Sequence, residues 1–270
     1  MEVFIQKAWK SSDPSRFPGP QPISIERRHF ALLKKQPYLV CEKTDGVRNF
    51  LVSFEGGVFL VNRAFQSIPI KIRLPKETLL DGELVTAKNG KVLFMVYDAV
   101  MVKGEDLSAK PLNIRLDAAR VVIKAIIKTA SAPLEVKVKT MFSLGSPIPD
   151  LNSFEYETDG LVFTPVNEPI RTGTHETMFK WKPRERITVD FMIQKGSELW
   201  IQDHYTAELH LRNRRPDLAD GLIVECGYGD IGWFVEKVRT DKTYPNNKRT
   251  FIRTCVNLQE NIQLKEFLGL

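Results

Sequence analysis

The sequence predicts an α+β fold, divided between a larger mixed region and a smaller all-β one. Three patterns carry that prediction. From 38 to 100, short apolar runs alternate with turn residues and read as strands throughout. Residues 113–130 bear apolar side chains at three- and four-residue spacing, the period of a helix. From about 187 several short strands fall within roughly fifty residues, as in a small barrel or sandwich.

Taken in order, the opening Met1-Glu2-Val3-Phe4-Ile5-Gln6 has no basic stretch followed by an apolar one, so it reads as no secretory signal. Pro14, Pro18, Pro20 and Pro22 make residues 11–22 an extended leader. A short helix follows, capped by Ser24, with Ile25, Phe30, Leu32 and Leu33 as its apolar contacts and Pro37 ending it. Strands are expected at 38–41, 50–52, 58–61, 78–80 with 84–85, and 92–96, parted by Gly56-Gly57, Pro75 and Asn89-Gly90. Asn89-Gly90 suits a tight hairpin because both residues tolerate positive φ.

In the 113–130 helix Asn113 is the expected cap, and Leu116, Ala119, Val122, Ile123, Ile126 and Ile127 form one face. Short strands resume at 134–138, 160–164 and 177–182, and Pro183 breaks the chain. Then Ile187, Val189, Phe191 and Ile193 alternate with Thr188, Asp190 and Met192, the period of a half-buried strand. Further strands are expected at 198–201, 222–225 and 233–238. Near the end Phe251, Ile252, Cys255, Val256 and Leu258 share one helical stripe, and Ile262, Leu264, Phe267 and Leu268 suggest another.

The balance of 43% hydrophobic and 27% charged residues in 270 is that of a soluble globular chain with a large core. No apolar stretch nears the ~20 residues needed to cross a bilayer, so no membrane role is expected. Cys41, Cys226 and Cys255 are scattered and odd in number, which suggests neither a disulfide framework nor a structural zinc site. His29, His175, His204 and His210 form no ligand spacing and read as surface or structural residues. The net charge of +6 favours a polyanionic partner, a nucleic acid or a nucleoside triphosphate, without identifying one.

The chemistry gathers around Glu42-Lys43-Thr44-Asp45-Gly46-Val47-Arg48. Apolar runs on both sides place Lys43 where a strand enters a tight loop. A lysine held there among other cations can lose its proton and attack phosphorus. Taken alone, the segment also fits a surface turn, the lesser reading.

It has companions. Arg63 follows the next strand, and Asp81 and Glu83 bracket Gly82 inside an apolar strand pattern. Carboxylates there are costly to bury unless they bind a cation or accept hydrogen bonds. Tyr97 and Asp98 close another strand, and Asp159 directly precedes one. Lys180 and Lys182, two residues apart, would share a sheet face. Arg239-Thr240-Asp241-Lys242-Thr243-Tyr244-Pro245-Asn246 completes the series.

These segments, in this order, resemble the signature of the covalent nucleotidyltransferases, which include the mRNA capping guanylyltransferases and the ATP- or NAD-dependent polynucleotide ligases. The Lys-Thr-Asp-Gly form at 43–46 and the Arg-x-Asp-Lys form at 239–242 resemble the capping enzymes in particular. The resemblance implies an ATP-grasp-like nucleotidyltransferase domain of antiparallel sheets and flanking helices over 1–188. It also implies an OB-fold lid over 189–246 and a C-terminal helix, about 247–270, packing back on the larger domain. The stretch from 189 to 239 is short for an OB-fold, so a pared-down lid is expected.

Further roles follow from the resemblance alone. Lys43 would attack the α-phosphorus of GTP, release pyrophosphate and pass GMP to 5′-diphosphate RNA. Lys180, Lys182 and a bound metal would favour its neutral amine. Lys180 and Lys182 would also grip the α-phosphate. Glu42, Thr44, Asp45 and Gly46 would line the nucleotide site, and Arg48 and Arg63 would contact ribose or phosphate. Glu83 would bind ribose or help place a metal, and Asp159 would be a metal-site carboxylate for Mg²⁺ or Mn²⁺. Asp98 would support the nucleotide, Tyr97 would stack or support, and Phe65 would stack on the base or belong to the core. Asp190 would link the lid hinge to the nucleotide. Arg239 and Lys242 would close over the outer phosphates, with Asp241 orienting them or touching pyrophosphate.

Expected partners are GTP, RNA, the RNA polymerase II C-terminal tail and a separate RNA triphosphatase. The chain leaves no room for a triphosphatase or methyltransferase domain, so other chains are expected to supply those activities. The family role implies a nuclear location, with a viral cytoplasmic site the alternative. An ATP-dependent ligase and a non-catalytic RNA- or polymerase-tail-binding scaffold are the competing readings.

Overall fold

The computed structural model describes residues 1–128, 134–202 and 217–270. In chain order it begins with α1 (Glu2–Ala8), β1 (Gln21–Ser24), α2 (Phe30–Lys35), β2 (Tyr38–Thr44) and β3 (Val47–Phe54). Next come β4 (Gly57–Asn62), β5 (Ser67–Pro69), β6 (Ile72–Arg73), β7 (Thr78–Thr86), β8 (Val92–Val102) and β9 (Glu105–Asp106). α3 (Leu112–Lys124), β10 (Ile127–Lys128), β11 (Leu134–Val138), β12 (Phe142–Ser143), β13 (Thr158–Pro165) and β14 (Thr174–Trp181) follow. The remainder holds β15 (Thr188–Gln194), β16 (Glu198–Trp200), β17 (Ile223–Gly229), β18 (Gly232–Val238) and α4 (Lys248–Glu260).

Two compact units emerge. The first comprises Met1–Ile23, Ala31–Trp181 and Leu268–Leu270; the second comprises Ser24–Phe30 and Lys182–Phe267. The first is mixed α+β. Its five-stranded sheet runs β1-β14-β13-β2-β12, and its larger sheet runs β11-β8-β7-β3-β4-β5 with β9 beside β8. Most pairings are antiparallel, but β11 lies parallel to β8. A parallel pair needs a long crossover, and α3 lies within it. Ala119 and Val122 of α3 pack with Phe94, Val96, Leu134 and Val136 in the core of that sheet.

Several expected elements shift. The 113–130 helix begins at Leu112 and stops at Lys124, because the chain then enters β10, which pairs with β6. Its last two expected residues, 129 and 130, lie outside the described residues. Pro111 precedes it, and Asn113 is already inside the helix rather than capping it. Ser24 ends β1 instead of capping a helix; the next helical turn starts after Glu26, whose N–H donates to His29 Nδ1 at 2.9 Å. Asn89-Gly90 does turn the chain, with Gly90 at φ +83°. The Ala87 and Lys91 backbones close the turn at 2.8 Å, so it is wider than a two-residue hairpin. Helix α1 was not foreseen; it packs Ile5, Ala8 and Trp9 against Phe50, Val52, Val61, Leu79 and Val100.

The second unit is built on one antiparallel sheet, β16-β15-β17-β18. Its strands begin at Thr188, where the sequence places the change to all-β character. Val189, Phe191 and Ile193 turn inward to meet Leu199, Val224, Cys226 and Trp233. Trp233 meets Phe191 edge-on, with ring centroids 5.0 Å apart. The expected C-terminal helix is present, and Phe251 and Leu258 of α4 belong to the core of this smaller unit. Among the described residues the strands form an open sheet and no closed barrel. His204 and His210 lie outside the described residues. His175 is buried, 3.2 Å from the Thr177 hydroxyl, which fits its structural reading.

Candidate active site

Lys43 is the penultimate residue of β2, and β13 supplies its partner. Thr158 pairs with Thr44 and Gly160 with Lys43, so Asp159 is an extra residue in the ladder, a β-bulge. The bulge aims its carboxylate at the lysine: Nζ donates to Oδ1 at 2.8 Å and to Oδ2 at 3.0 Å. The two side chains are only 25% and 11% exposed. The Lys43 amine is thus engaged by both oxygens of the carboxylate. Cys41, two residues earlier, is no rival nucleophile, because burial pushes its thiol up to about 12.

Beside the lysine, the Thr44 hydroxyl donates to Glu83 Oε2. Glu83 stands on β7 directly opposite Arg48 of β3. Asp45 is exposed, and its backbone N–H donates to the Glu157 carbonyl at 3.0 Å. Gly46 passes so close to β7 that an added Cβ would sit 2.5 Å from the Leu84 carbonyl oxygen. Gly46→Ala must therefore push the loop off the strand. The expected loss is about 1–3 kcal/mol, the usual cost of overpacking, read from the urea midpoint. An unshifted midpoint would mean the loop gives way at no cost.

Arg48 is held tightly. Its Nε donates to Asp81 Oδ1 at 3.0 Å, its Nη2 to Asp81 Oδ2, and its Nη1 to the Pro20 carbonyl. Burial opposes its charge, but Asp81 more than offsets this and raises the guanidinium above its ordinary value. Its carbon lies 5.3 Å from the Phe17 ring and 5.7 Å from that of Tyr97. Phe17 stacks on Phe50 at 4.2 Å. The proline-rich leader therefore covers the arginine expected at ribose or phosphate. Arg63 is exposed, with its carbon 5.9 Å from the Phe17 ring, and Phe65 packs partly against the same cluster.

Two other expected nucleotide residues are engaged elsewhere. Glu42 is 1% exposed and neighbours Lys43 on the strand, so its side chain points to the opposite face. There its Oε1 accepts from the Tyr156 hydroxyl at 2.9 Å. Asp98 gives both oxygens to Arg115, at 2.7 and 2.9 Å. Neither Arg115 nor Tyr156 was singled out from sequence; each is recognisable only through its partner. Lys180 lies on β14 opposite Val162 of β13. Lys182 directly follows the last residue of β14 and is the first residue of the second unit's long segment.

The second unit gathers its own expected residues. Arg239 Nε and Nη2 donate to Asp241 at 2.8 and 2.7 Å, and Nη1 donates to Asp190 at 3.0 Å and Glu225 at 3.3 Å. The Lys242 ammonium donates to the other Asp190 oxygen. Asp190 is tied down further by Asn246, whose side chain accepts from the Asp190 N–H at 3.0 Å. The bond from Arg239 holds Asp241 far below the usual carboxylate range. Burial would raise Glu225, but bonds from Thr188 and Lys237 outweigh it and hold that carboxyl low as well. Arg239 and Lys242 are therefore each paired with a carboxylate in this unit.

Comparison with known proteins adds the following. Residues 1–184 match the family described as mRNA capping enzyme, catalytic domain, and residues 161–268 match mRNA capping enzyme, C-terminal domain. The mRNA-capping enzyme subunit alpha of Schizosaccharomyces pombe is 32% identical over 226 residues, covering 68% of this chain and 54% of that protein. The mRNA-capping enzyme of Danio rerio is 27% identical over 301 residues, covering 95% and 50%. The chain thus spans about half the length of the curated relatives it matches. A solved mycobacterial DNA ligase D complexed with ATP and MES has a TM-score of 0.49 at 13% identity, covering 83% of this chain and 97% of that one.

Proposed function

The chain belongs to the mRNA capping enzyme family, and from that premise we propose that it is an mRNA guanylyltransferase acting through Lys43. The observation that carries the reading is the part-buried pairing of Lys43 with the bulged Asp159, flanked by the Thr44–Glu83 bond. In the first step Lys43 Nζ bonds to the α-phosphorus of GTP, gives up a proton, and the bond to pyrophosphate breaks. In the second, a terminal oxygen of 5′-diphosphate RNA bonds to that phosphorus, and the P–N bond breaks as Nζ regains a proton. Positioning and charge neutralisation are the main demands of such transfers.

Asp159 and Glu83 are hard oxygen donors. Among the described residues no three metal-ligating side chains cluster. Asp159 and Glu83, with water and substrate phosphate, would hold Mg²⁺ or Mn²⁺. When bound, the ion would neutralise phosphate charge. Occupation of Asp159 would also free the Lys43 amine. Lys180 and Lys182 are assigned to the α-phosphate. Arg239 and Lys242 would take outer phosphates by exchanging Asp241 and Asp190. The OB-fold lid, the polymerase-tail and triphosphatase partners and the nuclear location extend the same reading through the family. No helix among the described residues is long and apolar enough to cross a membrane.

The test is incubation with α-labelled GTP or ATP and Mg²⁺, followed by denaturing electrophoresis. Label from GTP that survives denaturation, and that pyrophosphate or 5′-diphosphate RNA removes, is the expected result. Label taken equally or better from ATP would replace capping with ligation, and no label from either would remove the enzyme assignment.

A further inference from the structure

We propose that Phe65, with Phe17 beside it, is a stacking platform for the 5′-terminal base of the acceptor RNA. Phe65 lies in the turn between β4 and β5 at φ +58°. The other non-glycine residues with positive φ among the described residues are lysines, glutamates and an asparagine. A bulky apolar residue is a genuine outlier in that region. Asn62 builds the conformation. Its Oδ1 accepts from the Ala64 and Gln66 N–H groups at 2.9 and 3.0 Å, and its carbonyl accepts from the Phe65 N–H at 3.0 Å. Glycine or asparagine at 65 would form the same turn with less strain. The backbone therefore gives no reason for a phenylalanine, and the reason must lie in its ring.

That ring belongs only in part to the core. It is half-buried, at the edge of the cluster built on Phe50, Val61 and Leu79. Phe17 is half-buried too, with its centroid 6.3 Å from that of Phe65. Arg48 and Arg63 hold their guanidinium carbons 5.3 and 5.9 Å from the Phe17 centroid. Arg63 is exposed, and among the described residues no carboxylate pairs with it. No acidic residue occurs between Glu55 and Glu77. Aromatic faces flanked by arginines, in a stretch without carboxylates, suit a base carried on a phosphate backbone. Asn62 pairs with Asn49, so the turn flanks the start of β3, the strand that leaves the Lys43 loop. β5, at the edge of its sheet, is exposed at Ser67, Ile68 and Pro69. The rings thus stand at an open edge that a polynucleotide can follow, whereas a mononucleoside site is concave and enclosing. This places the Phe65 ring with the acceptor and not with the guanine of GTP.

The inference rests on the guanylyltransferase reading for the identity of the acceptor; the stacking itself does not. The probe is a short single-stranded RNA with a 5′-diphosphate and a 3′ dye, bound to the full chain without GTP and followed by fluorescence anisotropy. Phe65→Leu keeps an apolar side chain and removes the aromatic face, Phe65→Asn suits the backbone and removes both, and Phe65→Tyr keeps the ring. The Leu and Asn variants should bind about tenfold more weakly, as for the loss of one stacked base, and the Tyr variant within about twofold of wild type. The same RNA with an abasic 5′-terminal residue should bind wild type about tenfold more weakly and bind all four proteins alike. In labelling with GTP, the rate of lysyl–GMP formation should stay within about twofold in every variant, while the RNA concentration that half-saturates GMP transfer rises about tenfold in the Leu and Asn variants. Wild-type RNA binding by Phe65→Leu, or an abasic RNA that still senses the ring, would overturn the proposal. Slowed lysyl–GMP formation would also overturn it by placing the ring on GTP, and so would an equal loss of affinity for a phosphoserine peptide. If Phe65→Asn does not fold, the Leu variant and the abasic RNA decide the matter. If the wild type takes no label at all, the guanylyltransferase reading fails, and the abasic comparison still accepts or rejects the platform.

Discussion

A Lys43→Arg variant is expected to take no label from α-labelled GTP, although it should fold and bind the nucleotide. Arginine preserves the charge that Asp159 now holds and can meet that carboxylate with two parallel donors. It cannot supply a lone pair, because its guanidinium stays protonated throughout the accessible pH range. The substitution therefore separates attack from charge. Lys43→Ala would not do so, since it strands the buried Asp159 carboxylate and mixes lost chemistry with lost stability. Two measurements are needed: label retained after denaturation, and GTP affinity by equilibrium dialysis. Loss of label with affinity within about threefold of wild type identifies Lys43 as the atom donor. Retained label would place the covalent bond on another lysine, and mass spectrometry of the labelled peptide would find it. Loss of both would leave Lys43 as a binding residue only.

The individual segments are legible in the sequence because each is local. Lys43-Thr44-Asp45-Gly46 joins two apolar runs, and the alternation from Ile187 to Ile193 places β15 correctly. Partnership between segments was far less legible. The sequence marks Asp159 as a candidate metal carboxylate; its ion pair with Lys43 depends on a bulge, and a bulge exists only once two strands are in register. Their place in the motifs suggests nucleotide contacts for Arg48 and Asp98. Their salt bridges to Asp81 and Arg115 are tertiary, and no spacing encodes them. Lys139, whose Nζ donates to the Glu42 carbonyl at 2.8 Å, stands in a run, Lys137-Val138-Lys139, that reads as an ordinary solvated edge. Only the position of β2 behind it distinguishes it from Lys137, which pairs with Glu155 near the surface. Helix α1 did leave a signal. Ile5, Ala8 and Trp9 are spaced three and four apart, but seven residues are too few for that period to stand out.

The second large effect concerns stability. On β7 and β8, Asp81 faces Asp98, two carboxylates opposite one another in a buried ladder. Such a pair is tolerated only if each charge is met, and each is: Arg48 takes Asp81 and Arg115 takes Asp98. Arg115 is 3% exposed, and its Nη1 also donates to the Lys110 and Glu168 carbonyls. Asp98→Ala would leave that guanidinium buried without its counter-ion. Breaking one partner of a buried pair costs about 3–5 kcal/mol, and the urea midpoint should fall accordingly. Replacing both members, as Asp98→Leu with Arg115→Met, should cost less than the single change, because no unpaired charge remains. GTP affinity of whatever remains folded should be unaltered, since Asp98 spends both oxygens on Arg115. If instead Asp98→Ala is as stable as wild type and binds GTP poorly, Asp98 faces the nucleotide after all, and the bridge to Arg115 is not what holds this part of the larger sheet.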